Sequence, residues 1–371
     1  MGIGVVGIVG AGTMGTGIAT NVAQHGLAVR LVDSRPEAAA AALVQARDFY
    51  DRNVERGRMS AGDAIAAGVR LEAVRDLAGL AGCDLVIEAV FEDFDLKARL
   101  FHELSGILEA RTLVATNTSC LRVSDLARHV RAPERFLGLH YFSPAQVNPI
   151  VEVVKGEATA DAAIEAALAF LGATGKRPIR CKDSWGFAIN RFFCPYTNEA
   201  ARALDDGLGG TAEIDEVAKE AVGAAAGPFL VMNLIKPRIN LHAIRNLAPL
   251  GGFYAPARSM ALTGDADRSW EIGTPGELDP ERRQRIVDRL RAGAFLPVLQ
   301  ALDEGVAEPA AFDLGAREAL RFARPPCALM DELGRDEVAR IVEPALRAHG
   351  LEPPAALARV GRLLAPAGPG G

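Results

Sequence analysis

At 371 residues, with 49% hydrophobic and 24% charged side chains, the chain is globular and too long for one ordinary hydrophobic core, so two or three domains are expected. A net charge of −6 gives no reason to expect nucleic acid or an anionic membrane as a partner. No apolar run is long enough to span a bilayer and the chain enters a strand at once instead of a secretory leader, so a cytoplasmic protein is expected.

The first predicted strand is Val5-Val6-Gly7-Ile8-Val9, followed by Gly10-Ala11-Gly12-Thr13-Met14-Gly15 and a helix through Gln24. Strand, glycine turn and helix in this order form a dinucleotide-binding unit, with Gly10, Gly12, Thr13, Met14 and Gly15 as the cofactor-binding turn. The helix N-terminus then faces the pyrophosphate. A second strand, Ala28-Val29-Arg30-Leu31-Val32, ends in Asp33, which stands 18 positions after Gly15 and 23 after Gly10, the distance of a ribose-binding acid. Its charge accepts from both ribose hydroxyls and repels a 2′-phosphate, which favours NAD over NADP. Arg35 reads as a solvated charge at the start of the next helix.

An alanine-rich helical stretch follows, then a strand at Asp84-Leu85-Val86-Ile87, a helix near Asp95 to Ile107, and strands at Leu113-Val114-Ala115, Phe136 to His140 and Val151 to Val154. This alternation predicts a doubly wound, mainly parallel sheet. Ligands sit beyond the carboxyl ends of such strands, where Glu88, Glu92, Asn117, Ser119 and His140 fall. Glu92 and Lys97 either border the cofactor or form a solvated helix end. The five cysteines, Cys83, Cys120, Cys181, Cys194 and Cys327, show neither a CxxC pair nor zinc spacing, so reduced buried thiols and no metal site are expected.

Oxidising a secondary alcohol needs a base for the hydroxyl proton, and histidine suits neutral pH. His25, His102, His129, His242 and His349 lie in helical or connecting segments. His140 lies just past a strand, in Gly138-Leu139-His140-Tyr141-Phe142-Ser143-Pro144, where a pocket opens. Glu152, twelve residues on, is placed to hold one ring nitrogen; otherwise the two are a strand-end residue and an exposed strand position. Ser119 either bonds a substrate oxygen or caps the run beginning near Arg122. Asn190, on a helix read from Gly186, needs a partner among apolar neighbours, either substrate or backbone.

From Gly186 onward the pattern is helical, and a related series recurs. Asp303 stands 98 residues after Asp205, Asp313 after Asp215 and Met330 after Met232, so a helical unit is duplicated and its matching apolar faces can bury against each other. The expected domains are 1–183, 184–282 with a connector, and 283–371. The connector, Ala248 to Asp279, is expected to run over the surface, and the tail Ala365 to Gly371 to be disordered.

Together Gly10 to Gly15, Val86-Ile87-Glu88-Ala89-Val90, Asn117-Thr118-Ser119, His140 to Pro144, Cys181-Lys182-Asp183 and Gly186-Phe187-Ala188-Ile189-Asn190-Arg191 resemble the L-3-hydroxyacyl-CoA dehydrogenase family over roughly residues 3 to 235. The resemblance implies an NAD-binding Rossmann domain followed by two copies of the family's C-terminal helical domain. It implies His140 as base, Glu152 as its partner, Ser119 and Asn190 holding the 3-hydroxyl and thioester region, and Asp33, Glu92 and Lys97 as cofactor contacts. The substrate would be a 3-hydroxyacyl-CoA; the alternative is a short polar 3-hydroxyacyl group on an acyl carrier protein, and the least favoured reading is a non-catalytic nucleotide-binding protein. Self-association through the helical domains is a further expectation.

Three positions depart from the family pattern. Ser143 replaces an asparagine that meets the nicotinamide side. Asn233 and Lys236 replace an aspartate and a glycine after Gly227-Pro228-Phe229. Arg52, Arg56 and Arg58 replace a lysine-rich segment that meets the CoA phosphates.

Overall fold

A computed structural model describes residues 2–365 and divides the chain into two compact units, Met1–Asp183 and Ser184–Gly371. Of the tail expected to be disordered, residues 366–371 lie outside the described residues.

The first unit is built on strands β1 (Val5–Val9), β2 (Ala28–Val32), β3 (Leu71–Ala73), β4 (Leu85–Glu88), β5 (Leu113–Thr116), β6 (Phe136–Tyr141), β7 (Ile150–Lys155) and β8 (Arg177–Lys182). They form one sheet in the order β3-β2-β1-β4-β5-β6-β7-β8, parallel except where β6 meets β7. Helices α1 (Thr13–Gln24), α2 (Pro36–Glu55), α3 (Ala61–Val69), α4 (Phe94–Ile107), α5 (Val123–Ala127) and α6 (Asp161–Ala173) belong to the same unit. Every residue of β4, β5 and β6 is buried, as near-continuous apolar runs in a parallel sheet require. The doubly wound architecture predicted from the alternation is therefore present.

Two strands escape the sequence pattern. β3 is three residues long with two exposed, and β8 alternates charged exposed residues with buried Ile179 and Cys181 at the sheet edge. Neither shows the apolar run that marks an interior strand. Asp183, just after β8, accepts the amides of Val123 and Ser124 at 2.9 and 2.7 Å and so caps α5; Ser119 is not that cap.

The second unit contains α7 (Ile189–Asp205), α8 (Thr211–Val222), α9 (Pro228–Ile235), α10 (Pro237–Arg245), α11 (Arg258–Asp265), α12 (Pro280–Asp303), α13 (Pro309–Glu318), α14 (Pro326–Leu333) and α15 (Arg335–His349). The helix read from Gly186 starts only at Ile189, because Gly186 (φ 77°) and Phe187 (φ 51°) turn the chain out of helical geometry first.

The 98-residue offset holds at bond level. Asp215 accepts the amides of Phe229 and Leu230 at the start of α9; Asp313 accepts those of Cys327 and Ala328 at the start of α14. The two copies meet about a local two-fold relation: Ala224 bridges Phe322, its own equivalent, through reciprocal bonds from Ala225 N to Arg321 O and from Ala323 N to Gly223 O. Arg191 pairs with Glu304, and its equivalent Arg289 pairs with Asp206 at 2.6 Å. Contacts of this reciprocal kind are what an isologous interface shows, here formed within one chain.

The connector does not run over the surface as expected. It includes α11 and buries Phe253, Tyr254, Met260 and Trp270; Asn198 bonds both Ala255 O and Ala257 N, and Trp270 meets Phe229 edge-on at 4.8 Å. Large aromatic anchors outweigh the Gly- and Pro-rich composition. Residues 265–269 and 271–277 are the connector's longest continuous exposed runs, separated by buried Trp270.

One departure from the family pattern carries backbone strain. Lys236 sits at φ 90°, whereas Gly334, 98 residues on, occupies the matching turn at φ 81°. A side chain at such an angle costs on the order of 1 kcal/mol or more. Lys236→Gly is therefore expected to stabilise the protein by about 1 kcal/mol in chemical denaturation; a destabilised variant would show that the lysine side chain compensates for the turn.

Candidate active site

The glycine turn is built as a phosphate cradle. Gly10 has φ 103°, and a Cβ there would lie 2.5 Å from Ala89 O. At Gly15 a Cβ would fall 1.8 Å from Gly10 O, so α1 can approach the strand only without one. Gly12 differs: a Cβ there would meet no protein atom within 4 Å, and no side chain caps the helix that starts after it. Open space before uncapped helix amides is what a pyrophosphate needs. Asp33, at the end of β2, accepts Ala11 N at 2.8 Å and Arg35 N at 2.9 Å, which fixes its carboxylate beside the turn. Arg35 stays exposed. These residues fit a dinucleotide with a free ribose 2′-hydroxyl.

A cavity of about 420 Å³ adjoins this turn. α1 contributes Thr13, Thr16 and Gly17 to its wall, α2 contributes Phe49 and Arg52, and the segment after β6 contributes Pro144 and Gln146. Asp48 lines the same wall as Arg52. Tyr50, Phe49's neighbour, is buried and donates to Thr20 O, pinning α2 to α1.

At the ends of β4 and β5 a buried ionic network closes over Lys97. Its Nζ donates to Glu88 at 2.8 and 2.9 Å and to Glu92 at 2.9 Å, and Thr116 Oγ1 donates to Glu88 at 2.6 Å. Lys97 is 1% exposed, so its ammonium is turned to the two carboxylates and is not a solvated helix end. Burial alone would lower its pKa, but the charges of Glu88 and Glu92 outweigh burial and raise it. Burial raises Glu88. Burial pushes Glu92 up too, yet Lys97, Thr118 and the Ser119 amide overcome it and hold Glu92 at about 2. Glu92 Oε1 accepts from the Thr118 hydroxyl, from Ser119 N at 2.9 Å and from Cys120 N at 3.3 Å, so this ionised carboxylate shapes the turn that presents Ser119. Sequence reasoning placed Glu88 among strand-end polar residues but missed its role as a full member of this network. The available signal was a glutamate closing an apolar strand with a lysine nine residues on.

The reversal of direction between β6 and β7 makes His140 and Glu152 direct cross-strand partners, so both project from the same face. His140 Nδ1 donates to Glu152 Oε2 at 2.6 Å; the histidine is 6% exposed and the glutamate fully buried. Glu152 is not the exposed strand position that was the other expectation. With Nδ1–H given to the carboxylate, the proton-accepting lone pair is on Nε2. Phe142 packs beside the imidazole, ring centroids 4.4 Å apart. Asn117 Oδ1 accepts Tyr141 N at 2.9 Å and ties the end of β5 to that of β6. Ser143 follows, exposed.

The first unit thus carries Gly10, Gly12, Thr13, Met14, Gly15, Asp33, Glu92, Lys97, Ser119, His140, Ser143 and Glu152. Asn190 belongs to the second unit, as the second residue of α7, half-buried. All five cysteines are buried thiols, and among the described residues no His, Cys, Asp and Glu cluster suits a metal. No helix of the described residues is long and apolar enough to cross a membrane.

Residues 5–184 match the NAD binding domain of 3-hydroxyacyl-CoA dehydrogenase, and residues 186–268 match its C-terminal domain. The chain belongs to the 3-hydroxyacyl-CoA dehydrogenase family. Within this family it is 38% identical over 235 residues to the 3-hydroxyadipyl-CoA dehydrogenase of Escherichia coli (strain K12), a match that covers 63% of this chain and spans only half the length of that relative. Among solved structures, 3-hydroxybutyryl-CoA dehydrogenase from Escherichia coli K12 substr. MG1655 aligns over 98% of this chain and 99% of its own, with a TM-score of 0.87 and 25% identity. The (S)-3-hydroxybutyryl-CoA dehydrogenase from Ralstonia eutropha aligns over 73% of this chain and 100% of its own, with a TM-score of 0.70 and 32% identity.

Proposed function

We propose that this chain oxidises a 3-hydroxyacyl-CoA to the 3-oxoacyl thioester with NAD. The observation that supports the reading most directly is the buried His140–Glu152 bond on a sheet whose first turn is a dinucleotide cradle. Family membership and the names of the relatives agree with it. NAD, when bound on Gly10 to Gly15 and Asp33, supplies the acceptor for the hydride that leaves C3 of the substrate.

The chain's own residues do the rest. His140 Nε2 takes the 3-hydroxyl proton, and Glu152 fixes the tautomer that makes this nitrogen the base and stabilises the imidazolium that results. Ser119, presented by Glu92, and Asn190 are assigned to holding the 3-hydroxyl and thioester region, and Ser143 to the nicotinamide side. Glu92 and Lys97 act on the cofactor side through the network that sets the Ser119 turn. Arg52, on the cavity between α1 and α2, with Arg56 and Arg58 following α2, is assigned to the phosphates of CoA. The helical unit divides at 282/283 into its two repeats, and the contact between them supplies inside one chain an interface that a single-repeat chain would need a partner to form.

The decisive assay mixes the protein with NAD and 3-hydroxybutyryl-CoA and follows NADH absorbance. No turnover with any 3-hydroxyacyl thioester would return the chain to a nucleotide-binding role without catalysis. Much faster turnover of the same acyl group on an acyl carrier protein would move the assignment to that carrier. For the cofactor, Asp33→Asn is expected to raise the KM for NAD by about tenfold, the loss of one charge-assisted hydrogen bond, and to improve use of NADP; an unchanged NAD/NADP ratio would remove Asp33 from the ribose site.

A further inference from the structure

We propose that Lys176 is a positioning residue whose ammonium holds the segment from Ser143 to Asn148 in place, and so sets where Ser143, Pro144 and Gln146 stand beside the dinucleotide turn. The inference rests on the dehydrogenase reading above.

Lys176 lies between α6 and β8, 6% exposed, and its Nζ donates to Ala145 O at 2.6 Å and Asn148 O at 2.8 Å. Both acceptors are main-chain carbonyls, and no carboxylate among the described residues forms an ion pair with it. A buried cation without a counter-charge is expensive, so it persists where it fixes something. What it fixes is the connection between β6, which carries His140, and β7, which carries Glu152. From the other side the same segment presses on α1: a Cβ at Gly17 would fall 2.6 Å from Gln146 Oε1 and 3.1 Å from the Ala145 Cβ. Pro144 and Gln146 line the cavity beside Gly12 and Thr13. Lys176 therefore clamps a segment that touches the cofactor helix on one face and follows the proposed base directly.

The segment's internal bonds are few. Val147 N and Asn148 N both donate to Pro144 O, at 2.9 and 2.8 Å, and Asn148 Oδ1 accepts Ile150 N at 3.1 Å. The two bonds to Lys176 are the charged ones among them, and charged donors make the stronger hydrogen bonds.

Burial lowers Lys176 to about 8. The ionisable side chains beside it are Arg177, next in the chain on β8, and His25, whose ring lies against Gly175 from the end of α1. Residues 143–149 carry no titratable side chain, and the last turn of α6 is uncharged. As pH rises through about 8 the ammonium loses its charge and the clamp weakens. Stability moves the other way: the unfolded chain holds this proton up to the ordinary lysine value, so the folded state gains stability over that window. A fall in turnover there is then not unfolding.

The test combines two variants with hydrogen exchange. Lys176→Met is expected to speed exchange of the Val147 and Asn148 amides, and to lower kcat, by about tenfold or more each, the loss of a charged hydrogen bond. The unaltered protein is expected to show a decline in kcat/KM above pH 8; Lys176→Arg keeps a charge across the range, so it is expected to retain loop protection and to lose that decline. Should Lys176→Met not fold, the arginine variant decides alone. Loop exchange and turnover within twofold of the unaltered protein in Lys176→Met, or an alkaline decline preserved in Lys176→Arg, would overturn the proposal. If the unaltered protein turns over no thioester, the dehydrogenase reading fails, while the exchange of Val147 and Asn148 still decides whether Lys176 orders the segment.

Discussion

Replacing His140 by alanine is expected to lower kcat for 3-hydroxyacyl thioester oxidation by about 100-fold or more, with NAD affinity nearly unchanged. The cofactor cradle is built from β1, the turn and β2, whereas His140 is on β6 with β4 and β5 between, so binding and chemistry separate. Glu152→Gln tests the pair from the other side. The carboxylate is an acceptor only and holds the proton on Nδ1; an amide can present its NH₂ instead, which favours the proton on Nε2 and removes the base without changing its position. A loss of about 10²- to 10⁴-fold is expected, the range seen when an orienting carboxylate becomes an amide in other base pairs. Melting curves must accompany both variants, because His140→Ala removes a donor from a fully buried carboxylate. A His140→Ala protein that folds, binds NAD and turns over within a few-fold of the unaltered protein would end the proposed mechanism.

The residues that make this pair legible in the sequence are few. A twelve-residue spacing between a strand-end histidine and a glutamate on the next apolar run predicts that they can meet, but whether they do depends on strand direction. A parallel β7 would need a crossover longer than the eight residues between Tyr141 and Ile150. The short connection thus dictates the antiparallel step that puts His140 opposite Glu152, an inference within reach of the sequence. The glycine turn, Asp33 and the duplicated helical unit were legible for similar reasons: each is fixed by local spacing. The 98-residue offset predicts even the individual bonds of Asp215 and Asp313. What was not legible depended on non-local burial. Lys97 has the pattern of a solvated helix residue, and only the fold shows Glu88 and Thr116 arriving from β4 and β5 to enclose it. β8 hides behind alternating charges because one of its faces is solvated, and the connector's aromatic anchors are invisible to a composition that favours Gly and Pro. Lys176 gave no signal at all, since its acceptors are backbone carbonyls 31 and 28 residues earlier.

Lys97→Met should be the most destabilising single change in the first unit, at about 3–5 kcal/mol, the usual cost of leaving buried charges without their partner. Glu88 is fully buried and Glu92 mostly so; in the unaltered protein one ammonium serves both. Methionine keeps the length and apolar stem but leaves two carboxylates facing each other in a medium that disfavours their charge. The pH dependence gives the sharper test. Glu92 sits at about 2 in the folded protein against an ordinary 4.5, so its contribution is complete above 4.5 and is lost as pH falls toward 2. Lys97, raised in the fold, contributes below its ordinary value and loses that contribution only in strong base. The unaltered protein should therefore lose stability on acidification through this window. In Lys97→Met the force that lowered Glu92 is gone and burial raises both carboxylates, so protonation relieves the site and the variant should hold or gain stability as pH falls. Adding Glu88→Gln, which removes one of the two charges and keeps an acceptor for Thr116, should recover part of the loss. Function follows the same network, since Glu92 holds the Thr118–Cys120 turn: Lys97→Met should lower kcat even where it remains folded. Equal acid slopes for the two proteins in denaturant titrations between pH 4.5 and 2 would show that Lys97 does not govern Glu92, and the link from this ion network to Ser119 would fall with it.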